Sequence, residues 1–292
     1  MTRWLLALLL MWAPLAAMAD VRVADDAGHA VVLAAPAKRV VSLGPHLTEM
    51  AYAAGGGSAM VGAIRYSDFP DAARKLPIVG DAHAIDFERI VQLKPDLVLV
   101  WGSGLNERHK ARLRSLGLTI YESEIHHAQG IPDTLRRLGT LLGQADAAEA
   151  AANRFESQWR ALVERQRGKA PVRVFWQLWH EPLMTINREH LISEAMRMCG
   201  GVNVFADLPL LTPSVSWEAA VAANPQLIAG SGRKEDSARD FAAWRRLGRN
   251  TSAVKQQGFA AIDGNLIGRM GPRFVEGATA LCEAIETARQ RP

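Results

Sequence analysis

Two carboxylates occupy the same place in two copies of one motif. DFERIVQLKPDLVLV, from Asp86, and SWEAAVAANPQLIAG, from Ser216, each begin with a helix-capping residue; a glutamate follows two positions on (Glu88, Glu218), a proline nine positions on (Pro95, Pro225), and then an apolar, strand-like run. One acidic residue in the first turn of a helix does no more than complement the helix dipole, for about 0.3–1 kcal/mol. Two equivalent ones, one per repeat, could also pair with a two-fold partner that offers basic groups to both. A second set is aromatic: Tyr66 after VGAIR, Trp101 after LVLV, and Trp176 and Trp179, with His180, in FWQLWHEP. Side chains at the ends of strand-like runs either pack a core or form a flat wall that buries a large apolar ligand at low entropy cost.

Metal and phosphate chemistry find little support. The eight histidines form no HExxH and the two cysteines no CxxC, the spacings that bring ligands to one ion. His126 and His127 are adjacent and would face opposite sides of a strand. His46 and His190 fall at matching repeat positions just before helices, where capping or packing accounts for them. His180, beside Trp179 and Glu181, is the histidine best placed to touch a ligand. The glycines of AAGGGS at 53–58 supply a helix cap and turn, since no GKS or GKT follows as a nucleotide-binding loop requires.

These residues need elements to hold them. HLTEMAYAAGG from His46 resembles HLISEAMRMCGG from His190 apart from one insertion, and LGLTIYE around Gly117 resembles QGFAAID around Gly258. With the glutamate motif these make three pairs in the same order, offset by about 130 to 145 residues, too long for a solenoid and suited to two homologous lobes with a cleft between them. Residues 21–33 read as a small hairpin around an Asp- and Gly-bearing turn. From RVVSL at 39–43, strands alternate with helices, which argues for parallel sheets covered on both faces. The stretch from Ala145 to Lys169 is rich in helix formers with apolar residues at helical spacing. It would span on the order of 35 Å and join the lobes as a rod, favouring small opening motions.

The expected division is therefore 1–19, 20–144, 145–170 for the joining helix, and 171–292. The first segment has the design of a cleaved signal peptide: Arg3, the apolar run WLLALLLMWAPLA, then Ala17-Met18-Ala19 before Asp20. No cysteine lies near that point to carry a lipid, so a soluble protein of a Gram-negative periplasm is expected. Net charge is +4, but no basic run reaches five residues, which disfavours nucleic acid. Cys199 and Cys282 are the only cysteines, and in an oxidising compartment they are expected to bridge; the alternative is two buried thiols.

RVVSLGPHLTEMAYAAG, YSDFP at 66–70, DFERIVQLKPDLVLVW, MCGGVNVF ending at Phe205, PSVSWE at 213–218 and LCEAI at 281–285 carry a resemblance from about Arg39 to the C-terminus. The chain is similar to the class III periplasmic substrate-binding proteins of ABC importers, most closely their cobalamin-binding branch. The resemblance implies an α/β fold of two homologous lobes with parallel-rich sheets joined by a long helix, and a corrinoid carried as cargo with no cofactor. It implies no catalysis and a monomer that delivers to an inner-membrane permease and its ATPase subunits. Glu88 and Glu218 match the glutamates that dock on permease arginines. Tyr66 and Trp101 match cobalamin contacts, with Trp176, Trp179 and His180 behind them. Two tryptophans that the resemblance implies, near Ala82-His83 and near Thr212, are absent, and Trp176, Trp179 and His83 are candidates to replace them. A haem or ferric-siderophore receptor of the same fold is the alternative ligand class. An exported metal-dependent enzyme using histidines with Asp68 or Glu181 is the alternative of another kind.

Overall fold

The computed structural model describes residues 20–81, 83–166, 168–232 and 241–291. The expected signal peptide lies outside the described residues. Strands β1 (Val21–Ala24) and β2 (Ala30–Leu33) form the antiparallel hairpin. The first lobe is built on the parallel order β4-β3-β5-β6, from β3 (Val40–Ser42), β4 (Met60–Ala63), β5 (Leu97–Trp101) and β6 (Ile120–Ser123). The second uses β7 (Val172–Gln177), β10 (Gly201–Asn203), β11 (Leu227–Ser231) and β12 (Phe259–Ile262) in the parallel order β10-β7-β11-β12. A two-stranded hairpin of β8 (Trp179–His180) and β9 (Leu183–Met184) projects beside it.

Helices α1 (Pro45–Ala53), α2 (Phe87–Gln92), α3 (Glu107–Ser115) and α4 (Gly130–Leu142) cover the first sheet. α6 (Leu191–Met198), α7 (Trp217–Ala222) and the C-terminal helix Phe274–Arg289 belong to the second. Between them α5 runs from Ala145 to Gln166, 22 residues and so roughly 33 Å. It is shorter than the expected span to Lys169.

Strand alternation sorts side chains between cores. On β5, Leu97 and Leu99 face one cluster, Val98 and Val100 another; on β7, Val172, Val174 and Trp176 face that same first cluster while Phe175 turns away. The first cluster is shared by both lobes and includes Phe155 and Leu162 of α5. Arg136 of α4 holds α5 through Glu149 (2.8 Å) and Glu156 (2.7 Å). At the far end Trp159 packs on Phe274, with ring centres 6.0 Å apart.

The internal repeat extends to turn chemistry. Lys94 and Asn224, each preceding a proline, both take the left-handed conformation, at φ 46° and 42°. Each turn is pinned from the strand beside it, with Arg39 donating to the Leu93 carbonyl and Arg173 to the Asn224 carbonyl, both at 3.0 Å. The Cys199–Cys282 disulfide forms, with Cα atoms 4.8 Å apart, and ties the end of α6 to the C-terminal helix.

Candidate functional site

The carboxyl ends of both parallel sheets open onto one cleft, where α/β sheets bind ligands. Its floor is a cavity of about 460 Å³. The first lobe supplies Trp101, the last residue of β5, with Ser103 and, just after β6, Glu124, Ile125 and His126. The second lobe supplies Leu178 after β7, Ser231 at the end of β11, and Ile267 and Met270 beyond β12. His190 and Leu191 at the start of α6 and Leu211-Thr212 complete the wall.

Trp101 is held by its neighbours. It meets the buried His46 edge-on at 5.3 Å, and its buried indole N–H has no partner among the described residues. The following loop must be glycine-rich for steric reasons, since a Cβ on Gly104 would lie 2.0 Å from the Trp101 ring. Glu124 accepts from the Ser103 amide (2.6 Å) and hydroxyl (3.1 Å), and an ionised carboxylate has further lone pairs with which to accept.

His46 and His190 are held neutral. Burial, with the charge of Arg269 nearby, lowers the pKa of His46 to about 3. Burial, with His126 adding to it, lowers that of His190 to about 4. His190 caps α6, its Nδ1 accepting the Ile192 amide at 3.1 Å. The ring proton therefore sits on Nε2, which can donate to a ligand but offers no lone pair to a metal. Among the described residues no group of three or more His, Cys, Asp or Glu could hold a metal ion.

The structure distributes the expected contacts unevenly. Trp101 lines the cavity. Tyr66 is not among the cavity's lining: it is 72% exposed, at φ 68°, with its carbonyl bonded to Arg269, whose neighbours Gly268 and Met270 line the cavity. Trp176 corrects the expectation. It is fully buried, because strand alternation puts it on the same side as Val172 and Val174, in the shared core. Trp179 and His180 are exposed on the β8–β9 hairpin and are not among the cavity's lining; His180 instead borders a second cavity with Glu181, Trp217 and Glu218. None of the proposed substitutes for the absent tryptophans lines the cavity: His83 is an exposed residue whose amide is held by Asp81. Thr212 lines it where a tryptophan was expected.

Sequence reasoning missed Glu124, Leu178 and Ser231, although each follows or ends a strand in the position that carried Trp101. It also missed a cluster between the lobes. Glu49 of α1, 3% exposed, is bound by Arg273 through two bonds (2.9 and 2.7 Å) and by Arg269 (2.8 Å), which also reaches Asp68 at 2.8 Å. Burial opposes ionisation of Asp68, but the hydrogen bond and charge of Arg269 outweigh it and lower its pKa.

Glu88 and Glu218 sit alike, exposed in the first turns of α2 and α7. The side chains of Asp86 and Ser216 cap those helices by accepting the Arg89 and Ala219 amides at 2.9 and 3.1 Å. The Glu218 pKa is lowered by its own amide and the Ser216 hydroxyl.

Two α/β lobes with parallel sheets, a joining helix and a ligand-sized cleft at the strand ends define a bilobal binding protein, and residues 40–266 match the family model described as periplasmic binding protein. The chain belongs to that family. It is 34% identical over 256 residues to a vitamin B12-binding protein of Vibrio cholerae, covering 88% of this chain and 92% of that one. A vitamin B12-binding protein of Yersinia pestis is 36% identical over 247 residues, covering 85% and 86%. The crystal structure of the periplasmic vitamin B12 binding protein BtuF of Vibrio cholerae superposes with a TM-score of 0.80, covering 87% of this chain and 99% of that one.

Proposed function

We propose that this protein is the periplasmic substrate-binding component of an ABC importer and that its cargo is cobalamin or a related corrinoid. The relatives named for vitamin B12 support the ligand class, and the observation that carries it to this cleft is the charge of the lining. Among the described residues that line the cavity there is no lysine or arginine, and Glu124 is its one carboxylate. A corrin ring edged with neutral amides can donate to Glu124 and accept from the His190 Nε2–H, while its flat face lies on Trp101 and Leu178. An anionic siderophore or the propionates of haem would meet no lysine or arginine among these described lining residues. His190, its Nδ1 committed to the Ile192 amide, would offer haem iron a proton and no lone pair.

The cargo is carried without chemical change. Glu88 and Glu218 meet basic groups of the inner-membrane permease, and such rim charges set association rate and salt dependence more than burial energy. The lobes 20–144 and 171–292, with 145–170 between them, belong to this reading, as do a monomeric carrier and export by a cleaved leader. Among the described residues no helix is long and apolar enough to cross a membrane.

Calorimetry of the mature protein against cyanocobalamin, cobinamide and haemin tests the ligand. Tight one-to-one binding of a corrinoid is expected. Binding of haemin alone would move the ligand and keep the carrier role, and no heat with any of the three would remove the reading.

A further inference from the structure

Tyr66 is a bulky residue in the left-handed region, a conformation that costs free energy unless its surroundings impose it. Its ring is largely exposed, so packing of the side chain does not impose it. A turn closed by the Ser67 amide on the Ile64 carbonyl (3.3 Å) holds it from within the first lobe, and a further restraint comes from the other lobe. One Arg269 nitrogen donates to the Tyr66 carbonyl (3.1 Å) and to Asn265 (2.8 Å), and its other terminal nitrogen to Asp68 and Glu49, both at 2.8 Å. Arg273, also bound to Glu49, lies over the Phe69 ring at 3.8 Å, and within the first lobe the Ser67 hydroxyl bonds Thr48 at 3.0 Å. The segment Tyr66–Phe69 is thus gripped by two guanidinium groups of the second lobe. Their two positive charges are matched by Glu49 and Asp68, so the grip needs no other ion.

We propose that Arg269 is a positioning residue for ligand capture: its guanidinium fork fixes Tyr66 at the cleft mouth and makes the aromatic wall depend on how the lobes sit. The fork geometry matters, because carbonyl, carboxylates and Asn265 are reached from one rigid plane. A lysine would keep the charge that Glu49 and Asp68 require but could not span all four acceptors. This rests on the corrinoid reading for its affinity test and on nothing but the fold for its second test.

Cyanocobalamin affinity is measured for the full protein and for Tyr66→Ala, Arg269→Gln, Arg269→Lys and the double variant Tyr66→Ala with Arg269→Lys. Each single variant is expected to weaken binding about tenfold, and the double variant to bind within twofold of Tyr66→Ala alone, because Arg269 acts through Tyr66. Losses that multiply in the double variant, or full affinity in Arg269→Lys, would overturn the proposal. Arg269→Lys retains the charge balance and guards against simple misfolding. In ligand-free protein, hydrogen exchange of the amides of residues 64–70 is expected to accelerate at least fivefold in Arg269→Lys, while exchange in β5 and β11 stays unchanged. Unaltered exchange at 64–70 would overturn the proposal even if no corrinoid bound, which separates its failure from that of the ligand assignment.

Discussion

Acidification should weaken this protein through one buried ring. His46 is 4% exposed, packed edge-on to Trp101, and its pKa falls from 6.5 to about 3 on folding. Because the folded value lies below the unfolded one, the native state binds fewer protons between those values. The stability contributed by the neutral ring is thus complete above pH 6.5 and is lost progressively as pH falls toward 3. At pH 5 the unfolded chain is almost fully protonated at this site and the folded one is not, so His46 alone should remove about 2 kcal/mol relative to pH 7.5. The assay is guanidinium denaturation of wild type and His46→Phe at pH 7.5 and pH 5, with fluorescence as the probe. His46→Phe keeps an aromatic edge against Trp101 and removes the proton. Its loss of stability across the two pH values should be smaller than that of wild type by about 2 kcal/mol, while His190 contributes to both proteins and cancels. Equal losses in the two proteins would refute the argument that His46 is held neutral by burial.

Opening the Cys199–Cys282 bridge, which closes an interval of 83 residues, should cost up to about 4.5 kcal/mol on the loop-entropy account; denaturation with and without reductant measures it. Asp86→Ala and Ser216→Ala should each cost about 1 kcal/mol by uncapping α2 and α7, read from urea midpoints, and their effects should add because the two helices belong to different lobes. Trp101→Ala should weaken cyanocobalamin binding at least tenfold in calorimetry while leaving the haemin response unchanged. Reversing charge at Glu88 and Glu218 together should abolish stimulation of the reconstituted importer's ATPase and leave corrinoid affinity intact.

The elements of both lobes could be read from the chain because the repeat supplied two independent samples of each signal. Asp86 and Ser216 announce their helices by type and spacing, and the structure shows both capping. The end of α5 was read a little late: Gly168, in the left-handed conformation at φ 76°, marks the stop that the reading carried on to Lys169. Trp176 shows the limit for the site. FWQLW offers two tryptophans three residues apart, and which faces the core depends on the register of β7 against β11, a pairing between residues about 50 apart in sequence. Arg269 and Glu49 lay beyond reach for a similar reason. Each reads alone as an ordinary charged residue, and only the approach of two lobes makes them partners across 220 positions.

The shared apolar cluster means that this molecule has no separable halves. Leu47 and Leu135 from one lobe, Phe155 from α5, and Met196 and Leu281 from the other belong to one buried continuum. A single lobe produced by itself would carry an open greasy flank, and the expected behaviour is aggregation or pairing with a second copy. Heating should therefore give one calorimetric peak with matching calorimetric and van't Hoff enthalpies, where two independent modules would give two. The same continuity bears on ancestry. A forebear with one copy of the repeat would have had to cover that flank with a twin, so the gene duplication that fused two copies would have replaced a subunit interface with an interior.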